Sequence, residues 1–347
     1  MTTASATGRP RLWAGIDIGA TKIHIVVADG QGQILGRARK KTRSERGVDA
    51  VLERVERCLD EACDLASVSR PALAGVGLGA PSPVAADGTV VNAPNMGWRK
   101  LPLARILRAR WHQPVCVEND CNLGTLGEYE FGAGRGATTL VGLFVGTGLG
   151  GGVIDRHEMM RGHNRMAAEV GHMVVEAHGR RCGCGRVGCL EAYASKAGIA
   201  GRLRELQISP EPTPLLDDLD PDELSSLNSS VIARAYRAGD AAMRIAVDEA
   251  AWYLGVGVAS LIALLGPDHI VVGGGVVEAL GDSYLAKVRA SARVATFPAE
   301  AFAGVHIVRS QLGDDAVALG AVAHARRELG TGAPPARRRK TRTAAGS

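Results

Sequence analysis

Two stretches share one layout: Leu12-Trp-Ala-Gly-Ile-Asp-Ile-Gly-Ala-Thr-Lys-Ile-His-Ile-Val-Val-Ala-Asp29 and Thr139-Leu-Val-Gly-Leu-Phe-Val-Gly-Thr-Gly-Leu-Gly-Gly-Gly-Val-Ile-Asp155. In each, an apolar run ends in a glycine turn, a second apolar run follows, and an aspartate opens the next turn. Short apolar runs bounded by Gly and Asp are strand signals, and two joined by a tight turn form a hairpin. Identity between the copies is weak, but the pattern implies two α/β units, each opening with a hairpin that aims a glycine turn at a shared cleft. Working outward, a third strand starts at Ile34. Val48 to Ala66 has helical periodicity, with Val51, Leu52, Val55, Leu59 and Ala62 on one side. A strand over Leu73–Leu78, a helix over Leu101–Trp111 and a strand over Pro114–Val117 lead to Glu118-Asn119-Asp120. After the second hairpin come helices over Ser229–Ala238 and Asp240–Leu265. A strand over His269–Val272 then delivers Gly273-Gly274-Gly275. A strand over Val305–Arg309 and a closing helix over Ala316–Glu328 complete an alternation typical of the α/β class. Pro210–Ser226, polar and proline-bearing, reads as a loop.

The chain has 347 residues, enough for about two domains. With 46% apolar and 22% charged residues it is neither disordered, collagen-like nor a coiled coil. Aromatics are only 4%, so aliphatic side chains must fill the core, and a platform of stacked bases is disfavoured. The net charge of +5 is carried entirely by Arg337, Arg338, Arg339, Lys340 and Arg342, so the body is neutral overall. That excludes a global basic bias toward nucleic acid or membrane. The tail itself, 333–347, reads as a disordered basic end, with a polyanion-tethering arm as the alternative. Met1–Pro10 has no apolar region of a secretory signal. The uncharged stretch Ala250–Pro267 is at the short limit for crossing a bilayer and reads as a buried helix. Seven cysteines, three of them within Cys182–Cys189, fit metal binding in a reducing cytoplasm better than a disulfide framework.

Three glycine turns close predicted strands: Gly19, Gly146-Thr147-Gly148 and Gly273-Gly274-Gly275. Glycine lets backbone N–H groups approach phosphate without an intervening Cβ. None is a P-loop, and the G-x-G-x-x-G letters at Gly146 are followed by a strand, not a helix. Singly, each reads equally as a tight turn. Together, with Asp17 and Thr21 beside the first, they favour a nucleoside triphosphate held between two domains. Asp120, at a strand end, could accept a proton from an alcohol; capping the helix that follows is the alternative. His172 with Cys182, Cys184 and Cys189 supplies a closed tetrahedral zinc shell, structural because no position is left for water. Glu169 and Glu191 bracket it and suit sugar hydroxyls, solvated surface acids being the bland alternative.

In these stretches the chain resembles the ROK family of repressors, open reading frames and sugar kinases. The resemblance runs through Asp17-Ile-Gly-Ala-Thr-Lys22, Asn92-Ala-Pro-Asn-Met-Gly-Trp98, Glu118-Asn-Asp-Cys-Asn122, Gly146-Thr-Gly-Leu-Gly-Gly-Gly152, Glu169-Val-Gly-His172, Cys182 to Glu191 and Gly273-Gly-Gly275, from about residue 12 to 330. It implies an actin-like, hexokinase-type fold of two domains with ATP and Mg²⁺ in the cleft and sugar phosphorylation as the activity. Asp120 matches the family's catalytic base. Asn95, Asn119, Glu169, His172 and Glu191 match its sugar-contacting positions. Asp17, Gly19, Thr21, Lys22, Gly146, Thr147, Gly148, Gly274 and Gly275 match its phosphate and nucleotide turns, and His172, Cys182, Cys184 and Cys189 its zinc ligands. Family repressors carry a helix-turn-helix module ahead of the first phosphate motif, and the 16 residues before Asp17 are too few for one. Relatives using polyphosphate generally lack the cysteine segment. The chain departs from the family pattern at Ser82, Cys121, Arg165 and Ala168, the last two replacing common glycines beside the sugar-facing segment.

The expectation is thus a cytoplasmic ATP-dependent glucokinase, with fructose, mannose or an N-acetylhexosamine as alternative substrates. Its N-terminal domain would span 1–122, completed by the 316–330 helix. Its C-terminal domain would span 123–315, with a zinc loop at 169–191. Partners would be the hexose and further copies of the chain, as dimer or tetramer, with no nucleic acid and no membrane.

Overall fold

Both hairpins form, and each founds a sheet. The structure, a computed structural model, describes residues 11–207 and 227–330. The expected loop at Pro210–Ser226 and the tail lie outside the described residues. In the first sheet, β1 (Leu12–Ile18) pairs antiparallel with β2 (Lys22–Asp29), from Leu12↔Asp29 to Ile18↔Ile23, and β2 pairs with β3 (Ile34–Lys41). On its other side β1 runs parallel to β4 (Val76–Ala80), which runs parallel to β7 (Val115–Asn119). Between β4 and β7 the chain makes a small separate hairpin, β5 (Val90–Ala93) with β6 (Trp98–Leu101).

The second sheet repeats this plan. Its strands are β8 (Thr139–Val145), β9 (Leu149–Asp155), β10 (Glu158–Met159), β11 (His269–Gly273) and β12 (His306–Arg309). The orders β3-β2-β1-β4-β7 and β10-β9-β8-β11-β12 match position for position, with the hairpin's first strand central in both. The shared layout of the two sequence stretches is therefore a shared topology.

Helices α1 (Val48–Leu65) and α2 (Leu103–Trp111) cover one face of the first sheet, burying Val51, Leu52, Val55, Leu59 and Leu107 against Ile16, Ile25 and Leu78. Between the two sheets stand α3 (Asp120–Phe131) and the chain's last described helix, Ala316–Leu329. The second sheet's outer helices are α4 (Glu191–Ala194), α5 (Lys196–Gln207), α6 (Ser229–Ala238), α7 (Ala241–Leu265), α8 (Gly275–Leu280) and α9 (Asp282–Ala295). Ala316–Leu329 is then α10, the partner of α3. Among the described residues α7 alone is long and apolar enough to cross a membrane, and most of that stretch is buried against β8, β11 and α9.

Glycine sets how closely these layers approach. A Cβ on Gly15 or Gly77 would lie 1.9 Å from the carbonyl oxygen of Ala318 or Ala321, so α10 rests directly on β1 and β4. At the α3–α10 crossing, a Cβ on Gly320 would stand 1.7 Å from the Leu123 carbonyl oxygen, and one on Gly127 2.2 Å from that of Ala316.

Several elements depart from the sequence reading. The strand expected from Leu73 begins at Val76, because Arg70–Ala72 form a 3-10 turn after the Ser69 cap. The helix expected from Leu101 begins at Leu103, because Leu101 pairs with Val90. The β5–β6 hairpin, α5, α8 and α9 had no counterpart in that reading. The α9 face Tyr284, Leu285, Val288 and Ala292 has helical spacing, but small and charged residues dilute it.

Gly320→Ala forces a methyl group into the Leu123 carbonyl. A loss of about 1–3 kcal/mol is expected, the usual scale for overpacking, read as a fall in Tm. Gly201→Ala on α5, where a Cβ meets nothing within 4 Å, is the control and should not lower Tm.

Candidate active site

The parallel strands β1, β4 and β7 end together. Asp17 lies beside Gly79, Gly79 beside Glu118, and Ala80 beside Asn119. The chain turns from β7 directly into α3, and Asn119 caps that helix, its Oδ1 accepting from the Asn122 N–H at 2.9 Å. Capping therefore falls to Asn119, and Asp120 becomes the first helical residue. One Asp120 oxygen, Oδ1, accepts from the Cys121 N–H (2.8 Å) and from Asn119 Nδ2 (3.1 Å). The other has no protein donor among the described residues.

Burial pushes Asp120 up to about 6, against its hydrogen bonds from Cys121, and the charge of Glu169 adds to the rise. Burial pushes Asp17 up to about 7, with the charge of Asp120 as the next cause and Lys22 opposing. Glu169 is raised by burial and by Glu191, with His172 opposing. Carboxylates from both sheets thus crowd one cleft with too little positive charge to balance them, as a site awaiting a cation does.

The glycine turns are built differently from one another. Gly19 donates to the Lys22 carbonyl at 2.9 Å, and Thr42 holds the turn by donating from Oγ1 to the Gly19 carbonyl and from its N–H to that of Thr21. Lys22 is paired with Asp314 at 3.0 Å. Gly274, at φ 91°, lies against the end of β8, where a Cβ would be 2.5 Å from the Val145 carbonyl oxygen; Gly275 then opens α8. In the turn after β8, Gly146 N–H donates to the Gly148 carbonyl at 2.9 Å, and the Gly146 and Thr147 carbonyls accept from Lys196 and Ala197 at the start of α5. Gly148 has a neighbour that its phosphate-turn reading did not foresee. A Cβ there would sit 2.3 Å from Glu191 Oε2, which accepts from the Leu149 N–H at 2.9 Å.

His172, at the end of the 3-10 turn Val170–His172, meets Cys182, Cys184 and Cys189, and all four ligand atoms lie within 4.8 Å of one another. Cys184 and Cys189 Sγ are 3.7 Å apart, and Cys182 Sγ is 3.9 Å from His172 Nδ1. A tetrahedron with Zn–S near 2.3 Å has edges of about 3.8 Å, so the set fits zinc. The turn Cys182–Gly185 lets the chain double back, with Gly185 at φ 89°. Because Nδ1 faces the thiols, Nε2 is left for another partner. Cys182 Sγ lies 3.4 Å from Glu191 Oε1, so the cluster sits beside the same carboxylate that holds the Gly148 turn. All seven cysteines are unpaired.

The charge of Asp120 thus acts on Asp17, that of Glu169 on Asp120, and those of His172 and Glu191 on Glu169, while Asn95 lies exposed in the 3-10 turn between β5 and β6. The sequence reading assigned no role to Arg161, Asp314 or Asp315 and gave Glu118 none within its motif. Their only signal is charge near a motif, which a solvated surface also shows.

The ROK family model matches residues 13–328. The chain belongs to the ROK family. A glucokinase of Halalkalibacterium halodurans is 35% identical over 312 residues, 89% of this chain and 93% of that one. A putative xylose repressor of a Caldicellulosiruptor species is 32% identical over 310 residues, 89% of this chain and 76% of that one. Among solved structures, a ROK family glucokinase from Streptomyces griseus in complex with glucose and AMPPNP superposes with a TM-score of 0.77 at 32% identity, over 91% of this chain and 99% of that one.

The raised Asp17 carries a stability consequence with a definite sign. Between about pH 4 and 7 the folded chain keeps a proton on Asp17 that the unfolded chain releases near 3.8. Stability from this group is therefore lost as pH rises through that window. Asp17→Asn should raise the Tm of nucleotide- and magnesium-free protein at pH 8, by about 2 °C or more, and the gain should shrink toward pH 4. A variant no more stable at pH 8 than at pH 4, each against wild type, contradicts the crowding.

Proposed function

We propose that this ROK protein transfers the γ-phosphoryl group of ATP to the 6-hydroxyl of glucose. The observation that carries the reading is Asp120: a buried carboxylate at the start of α3, its pKa raised to about 6, with one oxygen free of protein donors among the described residues and the charge of Glu169, which stands at the N-cap of the Val170–His172 turn, acting on it. A base poised just below neutral pH is ionised at work yet takes a proton readily. The glucokinase relatives, aligned over nearly their whole length, supply glucose as the first substrate to test.

In this reading Asn119, Glu169, Glu191 and His172 Nε2 orient the sugar hydroxyls, with Asn95 at the cleft margin. Asp120 accepts the 6-hydroxyl proton as that oxygen attacks the γ-phosphorus and ADP leaves. The turns at Gly19–Lys22, Gly146–Gly148 and Gly274–Gly275 receive the phosphates. Bound Mg²⁺ would neutralise phosphate charge, and Asp17 is the carboxylate placed to hold it. His172, Cys182, Cys184 and Cys189 would hold one structural zinc that fixes the hairpin carrying Glu191. The domains would be 1–122 with 316–330, and 123–315. A panel of glucose, mannose, fructose and N-acetylhexosamines against ATP and polyphosphate, read by product formation, tests substrate and donor together.

Asp120→Asn keeps the shape and removes proton acceptance. It should lower kcat by at least about 10²-fold with the KM for ATP little changed. The wild-type kcat/KM should fall on the acid side with an apparent pKa near 6 to 7, which belongs to the Asp17–Asp120 pair of the free enzyme rather than to either residue. Wild-type turnover in the variant removes Asp120 from the role of base.

Freshly purified protein should contain about one zinc per chain. Cys184→Ser should lower zinc content, Tm and sugar affinity together, measured by elemental analysis, melting and calorimetry. Active enzyme without zinc contradicts the metal assignment.

A further inference from the structure

The segment from Arg161 to Ala168 leaves β10, reaches across to the first sheet and returns to Glu169. Its anchor is Glu118, whose side chain is only 2% exposed. Glu118 Oε2 accepts from Arg161 Nε at 2.6 Å and from Arg165 Nη2 at 2.8 Å. Its Oε1 accepts from the Asn119 N–H at 3.0 Å and from Asn122 Nδ2 at 3.3 Å. Burial works to raise Glu118, but the charge and hydrogen bond of Arg161 and the Asn119 N–H outweigh it and hold the carboxyl below its ordinary range. Arg165 makes a second contact, Nε donating to the Val84 carbonyl at 3.1 Å. Val84 follows Ser82, whose carbonyl accepts from Asn119 Nδ2 at 3.3 Å.

Arg165 does this from an unfavourable backbone. Its φ is 60° and that of Ala168 is 66°, a region in which glycine is the low-cost residue. Such a conformation persists where the surroundings over-determine it. Here the Ala167 N–H donates to the Arg161 carbonyl, the Met166 N–H to Asn164 Oδ1, and the guanidinium spans Glu118 and Val84. One prong of the guanidinium makes a charge-assisted hydrogen bond to a buried carboxylate and the other holds a main-chain carbonyl, so the planar fork ties two separate segments in one fixed geometry.

We propose that Arg165 is a positioning residue: by bridging Glu118 and the Val84 carbonyl it straps the Arg161–Ala168 segment to the first sheet and sets Glu169 opposite Asn119 and Asp120 before sugar arrives. This rests on the sugar-kinase reading above. A pocket ordered in advance spends less of the sugar's binding free energy on ordering. Loss of the strap should therefore fall on the KM for sugar, because the phosphate turns are held by Thr42, Lys196 and Ala197 and not by this segment.

Arg165→Gly suits the backbone but removes the whole side chain and loosens the main chain, so Arg165→Asn, which also tolerates positive φ and keeps a Cβ, is its companion and should give the same direction of change. The expected result is a rise in the KM for sugar of about tenfold, the scale of a lost hydrogen bond to a charged group, with kcat changed less and the KM for ATP within about twofold. Arg165→Lys, which keeps the charge without the fork, should fall between. In a Glu118→Gln background, Arg165→Gly should add less than it does in wild type, because the charged link to Glu118 is already weakened and chiefly the Val84 contact is left to lose. Hydrogen exchange on the nucleotide- and sugar-free protein supplies a readout independent of activity: amides of 166–172 should exchange faster in Arg165→Gly while those of α10 do not. An unchanged sugar KM overturns the proposal. So does an equal rise in both KM values with a lower Tm, which marks a general structural role. If wild type phosphorylates no hexose, the sugar-kinase reading fails on its own, and unchanged exchange at 166–172 still overturns the strap.

Discussion

The α3–α10 crossing is the constraint that everything else in the molecule obeys. Two helices whose backbones meet at Gly127 and Gly320 cannot slide or separate by a residue without either a clash or a void. One partner, α10, rests on Gly15 and Gly77 and so is fixed to the first sheet. The other, α3, lies on the second sheet, where Gly142 and Gly152 leave room for Thr125. The pair thereby sets the spacing of the two sheets, and the cleft is what remains between their strand ends. Glu128, fully buried on α3, reinforces this. It accepts from Ser310 Oγ and from the N–H groups of Ala133, Gln311 and Leu312, pinning the segment that leads into α10.

Placing α3 this way also places Asp120, because β7 runs into α3 with only the Asn119 cap between. A carboxylate carried at the junction of a buried strand and a closely packed helix needs no loop to position it. The same junction brings Asp120 near Asp17 and Glu169; burial is the first cause that raises each of them, with the charge of Asp120 added at Asp17, of Glu169 at Asp120 and of Glu191 at Glu169. This crowding opposes folding above about pH 4 and is relieved when cationic or proton-donating ligands enter. Stability and ligand binding thus draw on the same carboxylates, in opposite directions.

How much of this the sequence discloses depends on how local the cause is. The two hairpins were legible because each strand's apolar run and its closing Gly and Asp are contiguous. The His172–Cys189 cluster was legible because metal ligands at short spacing have few other uses. The doubling of the sheet order was foreshadowed by the repeated layout. The β5–β6 hairpin was not, because its four-residue strands carry too few alternations to register. Asn119 was read as a sugar contact and Asp120 as either base or cap; the hydrogen bond from Asn122 separates those roles only once the helix exists. Glu118, Arg161 and Arg165 were invisible as a unit, since their link joins distant segments and nothing in the charge pattern marks which arginine meets which acid.

Glu191 shows why the cleft works as one piece rather than as adjoining sites. Its two oxygens have different neighbours: Oε1 lies 3.4 Å from Cys182 Sγ of the metal-ligand loop, and Oε2 accepts from the Leu149 N–H of the turn after β8. Gly148 leaves the space that the carboxylate occupies, so the glycine there serves the carboxylate as much as any phosphate. A shift in the cysteine hairpin must therefore move the carboxylate, and the carboxylate cannot move without loosening the turn. The turn is in turn anchored to the start of α5 through Lys196 and Ala197. Sugar-facing, phosphate-facing and metal-binding residues read as separate motifs along the chain. In the fold they share one carboxylate, and their energies cannot be assigned to them separately.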